Sequence, residues 1–149
     1  MPWLDEVMTH PDATDAYRHG ASLAEPATRL HVPTSLITGW HDALADQTFE
    51  QYGRLRRAGC ETALLVGPWS HASALQQGWP EVFAESLVWL RAHLCADPSG
   101  LRPRTVHVHV GGEDAWRDLG DWPPAFAATP WHPVPGGRLT RQAPRTPHH

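Results

Sequence analysis

Apolar residues recur along this chain in two different periods, and the switch between them lays out its elements. Two short runs rich in β-branched residues stand at 33–38 (Pro33, Thr34, Ser35, Leu36, Ile37, Thr38) and 62–66 (Thr62, Ala63, Leu64, Leu65, Val66). Runs of that length and composition read as buried strands. Between them Ala45, Phe49, Tyr52 and Leu55 repeat at helical spacing, which predicts a helix over 46–58. Arg54, Arg56 and Arg57 crowd its last turn, where positive charge suits the helix dipole, and Gly59 is placed to stop it. Strand, helix and strand at this spacing form a βαβ unit, with parallel strands and a right-handed crossover. A second helix is predicted over 80–94, with Val82, Phe83, Leu87, Leu90 and Leu94 as its apolar face.

The flanks are less regular. Residues 1–30 are broken by proline, with a short helix expected at 3–8 and a helical turn at 12–16. After the turn Asp97-Pro98-Ser99-Gly100, a domain boundary, residues 104–110 alternate strictly. Val106, Val108 and Val110 fall on one side, Thr105, His107 and His109 on the other. That pattern is typical of a half-buried strand in an antiparallel sheet. Beyond Gly111-Gly112 the chain is rich in Trp and Pro, and 133–149 reads as an exposed tail. Two parallel strands alone cannot bury both faces or protect both edges. The apolar surfaces of Leu36, Ile37, Leu64, Leu65 and Val66 therefore call for neighbouring strands. The expectation is a C-terminal piece of a longer protein, or half of a two-chain assembly.

Composition narrows the classes. The 149 residues match one ordinary domain, and a net charge of -4 removes any electrostatic case for nucleic acid. All 12 basic residues are Arg, which reads as compositional drift rather than chemistry. Cys60 and Cys95 form no paired motif and read as buried free thiols in a reducing compartment. No leader-like or membrane-spanning apolar run is present, so the expectation is a soluble, cytoplasmic chain with no membrane partner.

The chemistry sits at two strand ends. Gly39-Trp40-His41-Asp42 follows the first run and Gly67-Pro68-Trp69-Ser70-His71 follows the second. In open α/β sheets, the C-terminal edge of the strands is where reactive groups are placed. An acid that precedes a base is the chain order of the last two members of an α/β-hydrolase triad. Taken singly, Asp42 reads as a helix N-cap and His71 as one loop histidine among 11. At equivalent ends of two strands in one βαβ unit, the pair reads as catalytic. The nearest approach to a nucleophile elbow, Gly20-Ala21-Ser22-Leu23-Ala24, lacks a good preceding strand, and Pro26 blocks a following helix. Ser70, beside His71, reads as a turn residue, and Trp40 and Trp69 as packing residues that could also wall the site. His107 and His109 share a strand face on which a metal could bridge them, but no third ligand is identifiable. Cys60 lies at the wrong end of its strand for a nucleophile and reads as a core thiol. No cofactor or metal is expected.

These motifs resemble a known family. The run Val32-Pro33-Thr34 through Gly39-Trp40-His41-Asp42, then Gln47-Thr48 and Tyr52, then Leu65-Val66-Gly67-Pro68-Trp69-Ser70-His71, closely resembles the CocE/NonD group of serine hydrolases. That group contains esterases and X-Pro dipeptidyl-peptidase-like enzymes. His10-Pro11-Asp12 is similar to the end of the family's helical cap. Trp116-Arg117-Asp118 and Asp121-Trp122-Pro123-Pro124 resemble the opening of its C-terminal domain. The resemblance implies an α/β fold, a partial α/β-hydrolase sheet (a βαβα unit) followed by the start of a β jelly-roll, galactose-binding-like domain. It divides the chain into the end of a cap at 1–30, the C-terminal part of a hydrolase domain at 31–97 and a truncated jelly roll at 101–149. It makes Asp42 and His71 the triad acid and base, and puts the nucleophilic serine and the oxyanion-hole tyrosine upstream. The implied partners are a small ester or peptide substrate and the missing N-terminal half, with the isolated chain inactive. A non-catalytic remnant or interaction module from a broken or split gene is the alternative.

Overall fold

Thr34–Gly39 (β1) and Thr62–Gly67 (β2) run side by side in parallel, Thr34 opposite Thr62 and Gly39 opposite Gly67. This computed structural model describes residues 2–12, 15–19 and 29–143. Pairing in this register brings both strands to their C-terminal ends at one level. The connecting helix, Ala45–Arg57, is the third in the chain (α3). It follows Pro2–Thr9 (α1) and Ala16–His19 (α2). Gly59, at φ +78°, ends the turn after α3 in the left-handed region that favours glycine. Ala45, Tyr52 and Leu55 are buried, so the predicted stripe faces the sheet. Tyr52 packs with Leu64, Val66, Val106 and Val108, flanked by Leu36, Phe49, Leu119 and Trp122.

A short helix, His71–Ala74 (α4), and a long one, Trp79–Leu94 (α5), follow β2. The chain then enters β3 (Val106–Val110) and β4 (Ala115–Leu119). The strand order is β1-β2-β3-β4. The alternating strand, expected in an antiparallel sheet, is antiparallel to β4 on one side but parallel to β2 on the other. It joins the same sheet because Val106 and Val108 complete the apolar face that Leu64 and Val66 begin. Of residues 133–149, expected as a tail, 144–149 lie outside the described residues, and the preceding part instead contributes to a hairpin of β5 (His132–Val134) and β6 (Arg138–Thr140). Gly136 and Gly137, both at positive φ, make its turn. The mixed sheet with helices is of the α/β class.

The apolar face assigned to the second helix requires correction. Phe83, Leu87, Leu90 and Leu94 are exposed. Val88 and Trp89, together with Glu85, line a cavity of about 70 Å³ against Ser35 and Ala63 of the sheet. Glu85 also pairs with Arg102, so a polar link occupies the inward side. Of the two thiols, Cys60 is buried and donates to the Val32 carbonyl at 3.0 Å, whereas Cys95 is exposed, contrary to expectation. Among the described residues no helix is long and apolar enough to cross a membrane.

Candidate active site

The loops leaving β1 and β2 are laced together by their backbones. Trp40 N–H donates to the Gly67 carbonyl at 2.9 Å, and His41 N–H donates to the Trp69 carbonyl at 3.2 Å. Asp42 N–H donates back to the Gly39 carbonyl at 3.0 Å, which makes the turn that aims its side chain. One carboxylate oxygen of Asp42, Oδ1, accepts the Leu44 N–H at 2.8 Å. The N-cap position of α3 is Leu44, two residues beyond the expected Asp42, although Asp42 still serves the approach to the helix. The other oxygen, Oδ2, lies 3.2 Å from His71 Nδ1.

His71 reaches that position from the first residue of α4. Ser70 caps this helix, its hydroxyl accepting the Ser73 N–H, while Ser73 Oγ accepts the Ser70 N–H at 2.9 Å. Ser70 is thus a turn and capping residue, as its sequence position suggests. The Asp42 side chain is 9% exposed and that of His71 75%. A shielded carboxylate therefore holds one nitrogen of a ring that otherwise faces solvent. In the Nδ1–H tautomer, His71 donates to Asp42 and its Nε2 is an acceptor.

An aromatic cluster braces the acid-bearing loop. Trp40 Nε1–H donates to the His109 carbonyl at 2.6 Å, and the Trp40 ring packs on Phe49 and Trp122 at 5.9 and 5.7 Å between centroids. Phe49 and Trp122 stack at 5.3 Å. Beside them, the Tyr52 hydroxyl donates to Asp121 Oδ1 at 2.9 Å, and the Trp122 N–H donates to the same oxygen. Burial pushes the Tyr52 phenol up from its ordinary value. The Trp122 N–H holds the Asp121 carboxyl below its ordinary value, and the Tyr52 hydroxyl adds to this. Sequence reading missed this latch. Tyr52 and Asp121 are 69 positions apart, and no local period links them.

The other candidates remain apart from the pair. His107 Nδ1 lies 2.6 Å from Asp118, and His109 Nε2 lies 3.1 Å from Asp114, each imidazole with its own carboxylate. Among the described residues, no group of three or more His, Cys, Asp or Glu is arranged to hold a metal. The stretch Gly20–Ala24 lies outside the described residues.

The fold and the site define a class: an α/β protein whose acid and imidazole meet at the C-terminal edge of adjacent parallel strands. Residues 1–73 match the X-Pro dipeptidyl-peptidase (S15) family. The chain is 29% identical over 148 residues to the cocaine esterase of Rhodococcus sp. (strain MB1 Bresler), covering 89% of this chain and 25% of that protein. The structure of an α-amino acid ester hydrolase superposes with a TM-score of 0.77 at 20% identity, over 100% of this chain and 28% of that one. An aminopeptidase from a Thaumarchaeota archaeon of marine sediment superposes with a TM-score of 0.68 at 21% identity, over 83% and 23%. These findings support a CocE/NonD-family fragment, and the chain spans about a quarter of the length of these relatives.

Proposed function

We propose that this chain supplies the acid and base of a serine-hydrolase triad acting on an ester or an X-Pro peptide. The observation that carries the reading is the 3.2 Å approach of His71 Nδ1 to Asp42 Oδ2 from the ends of two adjacent parallel strands. Asp42 accepts the Nδ1–H, fixes the tautomer and stabilises the imidazolium. His71 Nε2 then takes the proton of a serine hydroxyl as it attacks the substrate carbonyl, and returns it to the leaving group. A neutral hydroxyl is a poor nucleophile without such a base. In this reading the serine comes from a segment outside these 149 residues, as do most walls of the substrate pocket. The exposure of the His71 ring fits a base that waits for a partner surface.

The test is a graft. This chain replaces the matching quarter of the Rhodococcus cocaine esterase, and hydrolysis of a p-nitrophenyl ester is measured. The graft is expected to turn over. Asp42→Asn should lower kcat by about 10,000-fold, with His71→Ala at least as severe. An unchanged rate in His71→Ala would remove it from the triad. Turnover by the chain alone would place a nucleophile within it.

A further inference from the structure

We propose that Trp69 is the positioning residue for His71, its indole locked into a socket of three glycines; the proposal rests on the acid–base reading of Asp42 and His71. Trp69 is 5% exposed and lies two residues before His71. Three elements close on its ring: Gly39 at the end of β1, Gly67 at the end of β2 and Gly78 at the start of α5. A Cβ on Gly78 would stand 2.5 Å from the indole Cε3. On Gly67 it would overlap the Cε2–Cζ2–Cη2 edge, and on Gly39 the Trp69 carbonyl, with Cδ1 only 2.5 Å away. Backbone conformation does not require glycine at any of the three: Gly39 and Gly67 are strand residues and Gly78 has φ -84°. Room for the indole is what requires it.

The socket also ties the base to the acid. Indole Nε1–H donates to the Thr38 carbonyl at 3.1 Å, and the Trp69 carbonyl accepts the His41 N–H at 3.2 Å. Trp69 therefore grips the β1 loop on both sides of Gly39-Trp40, just ahead of Asp42. A single hydrogen bond from a solvent-facing ring to Asp42 is worth little and cannot by itself hold a loop in place. A ring packed directly on main chain at three points leaves few rotamers, so it sets the span between residues 42 and 71.

The His71 tautomer reads this out. With Asp42 as acceptor, neutral His71 must carry its proton on Nδ1, whereas a free histidine side chain favours Nε2–H. Long-range ¹H–¹⁵N imidazole spectra of the full chain in mildly alkaline solution distinguish the two, with His71→Gln assigning the signal. The wild type is expected to show His71 as Nδ1–H, and Asp42→Ala to abolish this. Trp69→Phe should shift the signal toward the solution mixture. Gly78→Ala should do so too, although it touches neither partner, and should add nothing in the Trp69→Phe background, where room is restored. Because Gly78 lies in a turn, its variant keeps the test open if Trp69→Phe does not fold. Amide spectra of β3 report folding. Retention of the Nδ1–H signal in folded Gly78→Ala and Trp69→Phe would overturn the role of Trp69 while leaving the dyad intact. Absence of that signal in the wild type would overturn the dyad reading, and the proposal with it.

Discussion

Asp42 serves two partners with two oxygens, and that division explains why its role is ambiguous along the chain. Oδ1 orders the entry to α3 and Oδ2 meets His71. Only the second contact is long-range. Tyr52 shows the same split at a buried position, its ring in the core and its hydroxyl on Asp121. Its raised phenol pKa has a definite sign. The contribution to stability is present below the unfolded value of ~10 and is lost as pH rises through the folded one. For Asp121, held low, stability is present above an unfolded value of ~3.9 and lost as pH falls through the folded one. The latch is therefore intact across the neutral range. Tyr52→Phe is expected to cost about 1 kcal/mol at neutral pH, the net worth of one hydrogen bond. It should also flatten the fall in stability above pH ~10. Urea titrations at several pH values check both outcomes, and an unchanged alkaline slope would remove Tyr52 as its source.

At the scale of elements, α5 is the instructive case. Phe83, Leu87, Leu90 and Leu94 recur at spacings of four, three and four, which marks one face of a helix as apolar. Periodicity cannot say which way that face turns. In the fold it turns outward, while Glu85, Val88 and Trp89 lie toward the sheet. Two leucines therefore behave differently despite equal hydrophobicity. Leu64→Ala, at 0% exposure inside the sheet core, should cost about 2–5 kcal/mol. Leu90→Ala, at 51% exposure, should cost less than about 1 kcal/mol. Denaturant midpoints with unchanged m-values would establish the contrast, and equal losses would mean that α5 packs by its apolar stripe after all.

For the molecule as a whole, the sheet is asymmetric. One side of β1 pairs with β2, and among the described residues no strand pairs with the other. Thr34 and Trp40 donate their N–H groups toward β2 and its flanks. By the alternation of a parallel ladder, the N–H groups of Ser35 and Ile37 point to the open side. An edge of this kind invites pairing with another chain. Ser35→Pro removes one of those outward donors without breaking the β1–β2 ladder. The variant is expected to keep the thermal midpoint within a few degrees and to lower association in sedimentation velocity at high protein concentration. A large loss of thermal stability would show that the Ser35 N–H is paired inward.

What the chain's order of residues settled was local and sequential. The β-branched runs, the helical stripe of α3, a carboxylate and an imidazole just past successive strands and the family motif were all legible, because strand and helix periods are properties of adjacent residues. Only tertiary structure could decide the rest. It brought β3 and β4 into the same sheet, turned the apolar stripe of α5 outward, seated Trp69 on three glycines and brought Asp42 to His71. Each of these depends on which distant segment arrives alongside, and free energy of burial and pairing between segments, not the spacing within one, makes that choice.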